Sequence, residues 1–208
     1  MPLAGRPMVE WSLEAFAAAE SVEAVIVALP PGHEAELGGG VVAVPGGEHR
    51  SQSVAAGLDR VETDLVAVHD AARPLVTAEL IDELVAKLIS RPDAAAVIAA
   101  AALTDTVKRA REARPANGDF TAGGPTVAQT VSRDHLWAAQ TPQVFRTDAL
   151  RHALDADPQR VAAATDDAML VEKAGGKVLI HPSGPENLKV TTPLDLRVAE
   201  LLLRERGI

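Results

Sequence analysis

The stretch "VAVHDAARPLV", residues 66–76, decides the fold. An apolar run, Leu65 to Val68, stops at His69 and Asp70; two alanines follow, then Arg73 and Pro74. A short apolar run of this kind, bounded by turn-forming residues, reads as a strand buried on both faces. The next segment, "TAELIDELVAKLIS", has the helical period, with Thr77 as N-cap and Leu80, Ile81, Leu84, Val85 and Leu88 on the buried side.

The same alternation extends in both directions. Upstream, residues 8–19 read as an amphipathic helix presenting Met8, Trp11, Leu13 and Phe16. "EAVIVALPPG" and "VVAVPGG" read as strands, and residues 51–60 as a helix opening at a Ser-rich cap. Downstream come the strand "AAAVIAAA", helices near 147–154, 166–174 and 193–206, and the strand "KVLIHP". Strand and helix in turn define an α/β protein with a mostly parallel sheet flanked by helices. Ligands of such sheets bind at the carboxyl ends of strands, which is where Asp70 falls. Residues 104–133 break the alternation. A structureless loop of that length is improbable in a compact domain, so a protruding β-hairpin arm is expected, with "DTVKR" leading out and "TVAQTV" returning. No linker divides the chain, and residues 1–208 read as one domain.

Composition narrows the function. The 208 residues are 47% hydrophobic but only 2% aromatic, with no tyrosine, so base stacking on aromatic platforms has little to work with. The net charge of -9 also disfavours nucleic acid, though not a small phosphorylated ligand. Cysteine is absent, which excludes thiolate catalysis and cysteine metal sites and suits a cytoplasmic protein. No apolar run is long enough to span a bilayer, and Arg6, Glu10 and Glu14 interrupt the N-terminus before a signal sequence can form.

Five short stretches carry chemistry-bearing residues. In "HDAARP", Asp70 can hold Mg²⁺ or orient a hydroxyl, and Arg73 can fork onto a phosphate; an internal Asp–Arg pair in a strand-to-helix turn is the less favoured alternative. In "PGGEHRSQSVAAGL", Gly46 and Gly47 let backbone approach a ligand, and Ser51 or Ser53 can cap a helix or meet a base edge. Lys189 precedes a Thr-Pro helix start and can address a phosphate. Thr106, Lys108, Arg109 and Arg133 lie at the roots of the arm. Thr165 can cap the next helix, with Asp166 and Asp167 in its first turn.

Taken in order, "GGEHRSQSV", "VHDAARP", "DTVKR", "SRDHLWAAQTPQVF", "TDDAMLVEKAGGKV" and "ENLKVTTPLDL" resemble the 2-C-methyl-D-erythritol 4-phosphate cytidylyltransferase family across residues 46–196. The resemblance implies a Rossmann-like nucleotidyltransferase fold, CTP and a polyol phosphate as substrates, Mg²⁺ as cofactor, and a homodimer formed through the arm. It further implies that Gly46, Gly47 and Ser53 hold cytosine and that Asp70 sits by the CTP phosphates, the metal and the polyol hydroxyls. By the same resemblance Arg73 and Thr165 bind the polyol phosphate, Lys189 is a catalytic phosphate contact, and Thr106 and Arg133 reach into the partner's site. The tip "EARPANGDFTAGGP" is longer than the resemblance leads one to expect. The resemblance also implies a preceding strand, central in the sheet, and a glycine-rich loop of the form A-A-G-x-G-x-R followed by a lysine. The sequence contains neither, so low activity is expected of these 208 residues by themselves. A start upstream of Met1 is the favoured account, over a shortened chain or a non-catalytic nucleotide-binding paralogue. Ribitol 5-phosphate is the alternative acceptor.

Overall fold

The computed structural model describes residues 2–30, 32–33, 40–111, 125–156 and 161–207. It opens on a two-strand hairpin, β1 (Pro2–Leu3) and β2 (Arg6–Pro7). Ala4 and Gly5, both at positive φ, turn the chain between them. Then follow α1 (Met8–Ala18), β3 (Ile26–Leu29), β4 (Val42–Pro45), α2 (Arg50–Leu58), β5 (Leu65–Val68), α3 (Ala78–Ile89) and β6 (Ala96–Ala102). The remainder comprises β7 (Val107–Ala110), β8 (Val127–Val131), β9 (Trp137–Arg146), α4 (Thr147–Leu154), α5 (Asp167–Lys173), β10 (Val178–Pro182) and α6 (Pro193–Glu205).

The central sheet has the order β10-β6-β9-β5. β5, β6 and β10 run in one direction, as the sequence predicts, but β9 lies among them antiparallel and makes the sheet mixed. β9 is also the main element that sequence reading did not anticipate. Residues 132–145 read as the root of the arm, whereas 137–146 form the longest strand and pair on both sides. β3 and β4 form a separate parallel pair. α2 packs on both of them and also on α4, and Val25 shares a cluster with Ala67 of β5. Among the described residues, β5 pairs with β9 alone and β3 with β4 alone.

The apolar strands are continuous because both faces are covered. Ala96 and Ile98 of β6, Phe145 of β9 and the half-buried Val66 and Val68 of β5 meet Leu58, Leu150 and Val171 of α2, α4 and α5. Their neighbours Val97, Ala99, Val144, Leu65 and Ala67 turn to Leu84 and Leu88 of α3. Leu3, Trp11, Leu75, Val190 and Leu203 form a further cluster that joins the first hairpin to α6.

Two helix starts match the sequence and two correct it. Thr77 accepts from Leu80 N at 3.3 Å, and Thr192 closes a capping box with Asp195 ahead of α6. α2, however, is capped by His49 in a box with Gln52, and no serine caps it. α5 is capped by Asp166, which accepts from Met169 N at 2.9 Å; Thr165 stands one residue too early. In the arm, β7 and β8 pair antiparallel from Val107↔Val131 to Ala110↔Val127. The enlarged tip, apart from Pro125, lies outside the described residues.

Candidate active site

The site is built on the carboxyl end of β5 and a bulged stretch of β9. Pairing of β6 with β9 passes from Ile98↔Gln143 to Ala100↔Ala139, so Gln140, Thr141 and Pro142 fall where the ladder shifts. A bulge re-aims side chains, and here it leaves buried polar groups forming a floor. Asn187 Nδ2 donates to Gln140 Oε1 at 3.0 Å and to the Thr141 carbonyl at 2.9 Å. Gln143 Nε2 donates to Asp166 at 2.9 Å, and Gln143 Oε1 accepts from Ala168 N at 3.2 Å, which ties the start of α5 to the sheet.

His69 locks the end of β5 onto this floor. Its Nε2 lies 3.1 Å from the Arg73 carbonyl, a pure acceptor, so that nitrogen carries the proton. Nδ1 then accepts from the Thr141 hydroxyl at 3.1 Å, and Thr141 Oγ1 accepts from Asp70 N at 3.0 Å. Burial pushes the His69 pKa down to about 4, with the Arg73 carbonyl and the Asp70 charge opposing. Because the folded pKa lies below the unfolded one near 6.5, the unfolded chain binds the proton first. This contribution to stability is complete above pH 6.5, and about 3 kcal/mol of it has been lost by the time the pH falls to 4. His69→Gln is expected to flatten that acid slope of the unfolding free energy. An unchanged slope would mean that His69 is not buried as a neutral ring.

Asp70 does not form an ion pair with Arg73, the partner a local turn would give it. Its Oδ2 accepts from Lys189 Nζ at 2.8 Å and its Oδ1 from Arg50 Nε at 3.1 Å. Burial works against its charge, but the Lys189 hydrogen bond and the Arg50 and Lys189 charges hold its pKa below the usual carboxylate range. Arg73 turns away from Asp70. Its Nη1 donates to the Asn187 carbonyl at 2.7 Å and Nη2 to that of Ala139 at 3.4 Å, while the buried Nε has no hydrogen-bond partner. Neutral carbonyls satisfy its geometry, burial lowers the Arg73 pKa, and the charge of Asp70 opposes this. Val190 N bonds the Ala72 carbonyl at 2.7 Å, which sets the Lys189 segment against the 69–74 turn.

The resulting cleft holds about 250 Å³ and is lined by Asp70, Arg73, Lys189, Thr165, Arg50 and the β9 floor. Asp70, Arg73, Thr165, Asp166 and Lys189, all singled out in the sequence, therefore converge. Gly46 and Gly47 follow β4 and Ser53 lies in α2; none of the three lines the cleft. Gly47 N donates to Ser53 Oγ at 3.1 Å, Gly46 N donates to the Leu29 carbonyl at 2.7 Å, and a Cβ on Gly47 would collide with Gln52. Thr106 and Arg133 are exposed at the roots of the arm and do not line the cleft of their own chain. Sequence reasoning missed Arg50, Gln140, Thr141, Gln143 and Asn187, and gave Asp167 only a place in the first turn of α5. All are polar residues whose partners lie far away in the chain. Among the described residues, no cluster of three or more His, Asp or Glu could cage a metal, and no helix is long and apolar enough to cross a membrane.

An acid at a strand end, facing two cations beside a further guanidinium over a polar floor, is the arrangement that a nucleotidyltransferase needs to hold phosphate groups. The comparisons with known proteins give it a family. The family model for 2-C-methyl-D-erythritol 4-phosphate cytidylyltransferase, IspD, matches residues 1–205. The curated cytidylyltransferase of that name from Streptomyces avermitilis is 40% identical over 99% of this chain and 84% of its own length. The bifunctional IspD/IspF enzyme of Anaeromyxobacter dehalogenans is 41% identical over 97% of this chain, which spans 51% of that relative. The crystal structure of the Thermus thermophilus cytidylyltransferase superposes with a TM-score of 0.80 at 33% identity, covering 98% of this chain and 92% of that one. The chain belongs to the 2-C-methyl-D-erythritol 4-phosphate cytidylyltransferase family, a family of nucleotidyltransferases.

Proposed function

We propose that this chain transfers the cytidylyl group from CTP to 2-C-methyl-D-erythritol 4-phosphate in isoprenoid biosynthesis in the cytoplasm. The observation that carries this reading is the convergence of Asp70, Lys189, Arg73 and Arg50 on one cleft at the carboxyl end of β5. A phosphate oxygen of the acceptor attacks the α-phosphorus of CTP, the α–β phosphoanhydride bond breaks, and pyrophosphate leaves with that bond's electron pair. No covalent enzyme intermediate is needed, so the work is positioning and charge neutralisation. Lys189 exchanges Asp70 for a phosphate oxygen. Arg73, which lines the same cleft, supplies a second positive charge. Thr165 offers a hydroxyl at the rim. Gly46, Gly47 and Ser53 present backbone and hydroxyl groups to the cytosine edge.

Asp70 is one carboxylate whose two oxygens already accept hydrogen bonds. It therefore fits only an ion that takes most of its ligands from substrate phosphates and water, which is the habit of Mg²⁺. Bound there, the ion would neutralise phosphate charge. The arm would form the homodimer, with Thr106 and Arg133 completing the cleft of the partner subunit.

The test is pyrophosphate release from CTP, Mg²⁺ and methylerythritol phosphate. It is run on this chain and on a mixture of its Asp70→Asn and Arg133→Gln variants. Low but measurable turnover is expected of the chain, and the mixture should recover activity that neither variant has alone, as a site shared between subunits requires. Ribitol 5-phosphate reacting faster would reassign the acceptor. CTP binding without turnover would replace the enzyme reading with a nucleotide-binding one.

A further inference from the structure

The side chain that connects most of this cleft is Arg50, which lies within "GGEHRSQSV" but has no role assigned to it by the sequence. Its Nε donates to Asp70 Oδ1 at 3.1 Å and its Nη1 to Asp167 Oδ2 at 2.7 Å. Those partners lie 20 and 117 residues away. Asp167 is 1% exposed. Burying a carboxylate is costly even when it is paired, and an apolar residue of similar size is commonly no less stable. The Asp167–Arg50 pair is thus poorly explained as a device for stability alone.

Its geometry points to another use. Arg50 is the first residue of α2, whose start is fixed by the His49–Gln52 capping box. Asp167 is the first residue of α5, whose start is fixed by the Asp166 cap and by Gln143 of β9. Asp70 ends β5 on a backbone held by Thr141 and His69. One planar guanidinium ties three separately anchored backbones. Burial acts to lower the Arg50 pKa and the charges of Asp167 and Asp70 reverse this, while burial pushes the Asp167 pKa up. The 2.7 Å contact with a guanidinium, which keeps its proton at neutral pH, leaves Asp167 ionised.

We propose that Arg50, braced by the buried Asp167, is a positioning residue that holds the Asp70 carboxylate in place when Lys189 leaves it for a substrate phosphate. This rests on the transferase reading above. Without the brace Asp70 has only Lys189, and would follow it. A lysine at position 50 keeps the charge but cannot fork onto two carboxylates. Asp167, walled off from the cleft, has no other route to the reaction.

Kinetics of pyrophosphate release separate positioning from direct contact. Arg50→Gln and Asp167→Asn are each expected to lower kcat at least tenfold with the KM for CTP within threefold. The double variant should be no worse than the poorer single, and Arg50→Lys should give no rescue. Rescue by lysine, a neutral Asp167→Asn, or a selective rise in KM for CTP would overturn the proposal and make Arg50 a direct nucleotide contact. A second measurement needs no turnover. In denaturant unfolding, Asp70→Asn and Asp167→Asn should be non-additive by at least fivefold in the unfolding constant, and additive within twofold once Arg50 is Gln. Additivity with Arg50 present would overturn the brace. If no chain releases pyrophosphate, the transferase reading fails and this cycle alone decides whether Arg50 couples the two acids.

Discussion

Lys189→Met is expected to lower kcat by about 10²- to 10³-fold, the scale set by losing one charge-stabilising donor at a reacting centre. The methionine keeps an unbranched stem of similar length and removes only the ammonium. In the free cleft that ammonium is held 2.8 Å from Asp70, with 45% of the lysine side chain exposed. An ion pair this open contributes at most about 1 kcal/mol to stability, so the melting temperature should scarcely move while turnover collapses. Pyrophosphate release from CTP measures the turnover and thermal unfolding the melting temperature. A kcat within fivefold of the parent would remove Lys189 from the chemistry and leave Arg73 as the phosphate ligand. Equal losses in kcat and in stability would make it a structural residue.

The same lysine shows how far sequence could carry the site. Asp70 and Arg73 were legible because they stand at the end of a strand that sequence could place, where an α/β sheet does chemistry, whereas Thr165 and Lys189 took their site roles from the family resemblance. Their pairing was not legible. The local pair Asp70–Arg73 was an alternative reading of "HDAARP", yet the structure sends Arg73 to the carbonyls of Ala139 and Asn187 and gives Asp70 to residues 20 and 119 positions away. Hydrophobic period reports which face of an element is buried. It does not report which polar groups from distant elements meet once those faces are buried. Arg50 was hidden in a polar helix start for this reason. His49 was passed over as a cap because histidine is not among the usual capping residues.

The fold was legible wherever one local signal acted alone. Thr77 and Thr192 were readable as caps because the residue type and the following helical period agree. β9 failed because two signals conflict within it. Pro142 reads as a strand breaker, since proline removes a ladder donor and is confined to edges and bulges. Gln140, Thr141 and Gln143 interrupt the apolar pattern that marks a buried strand. Both signals are explained by the register shift: the segment that pairs poorly is the segment that forms the polar floor.

Phe145→Ala tests the strand that sequence missed, and is expected to lower the unfolding free energy by about 3–5 kcal/mol. Phe145 is fully buried and lies opposite Val66 of β5 on one side and Ala96 of β6 on the other. Its ring fills the space among Leu58, Leu150 and Val171, which come from three helices. The alanines beside it in β6 cannot expand into a cavity of that size, and the strand is pinned by pairing on both edges, so relaxation is limited. For a domain of typical stability the loss is a third or more of the total, a fall in melting temperature of about 10 °C for a chain of this length. Denaturant unfolding measures it, with Val127→Ala as the companion. Val127 is 58% exposed on β8, outside the core, and its removal should change stability by no more than about 0.5 kcal/mol. A Phe145→Ala cost under about 1 kcal/mol would place β9 outside the core. The floor of Gln140, Thr141 and Gln143, and with it the orientation of Asp70 and Asp167, would then lose its support, because all of them depend on β9 lying between β5 and β6.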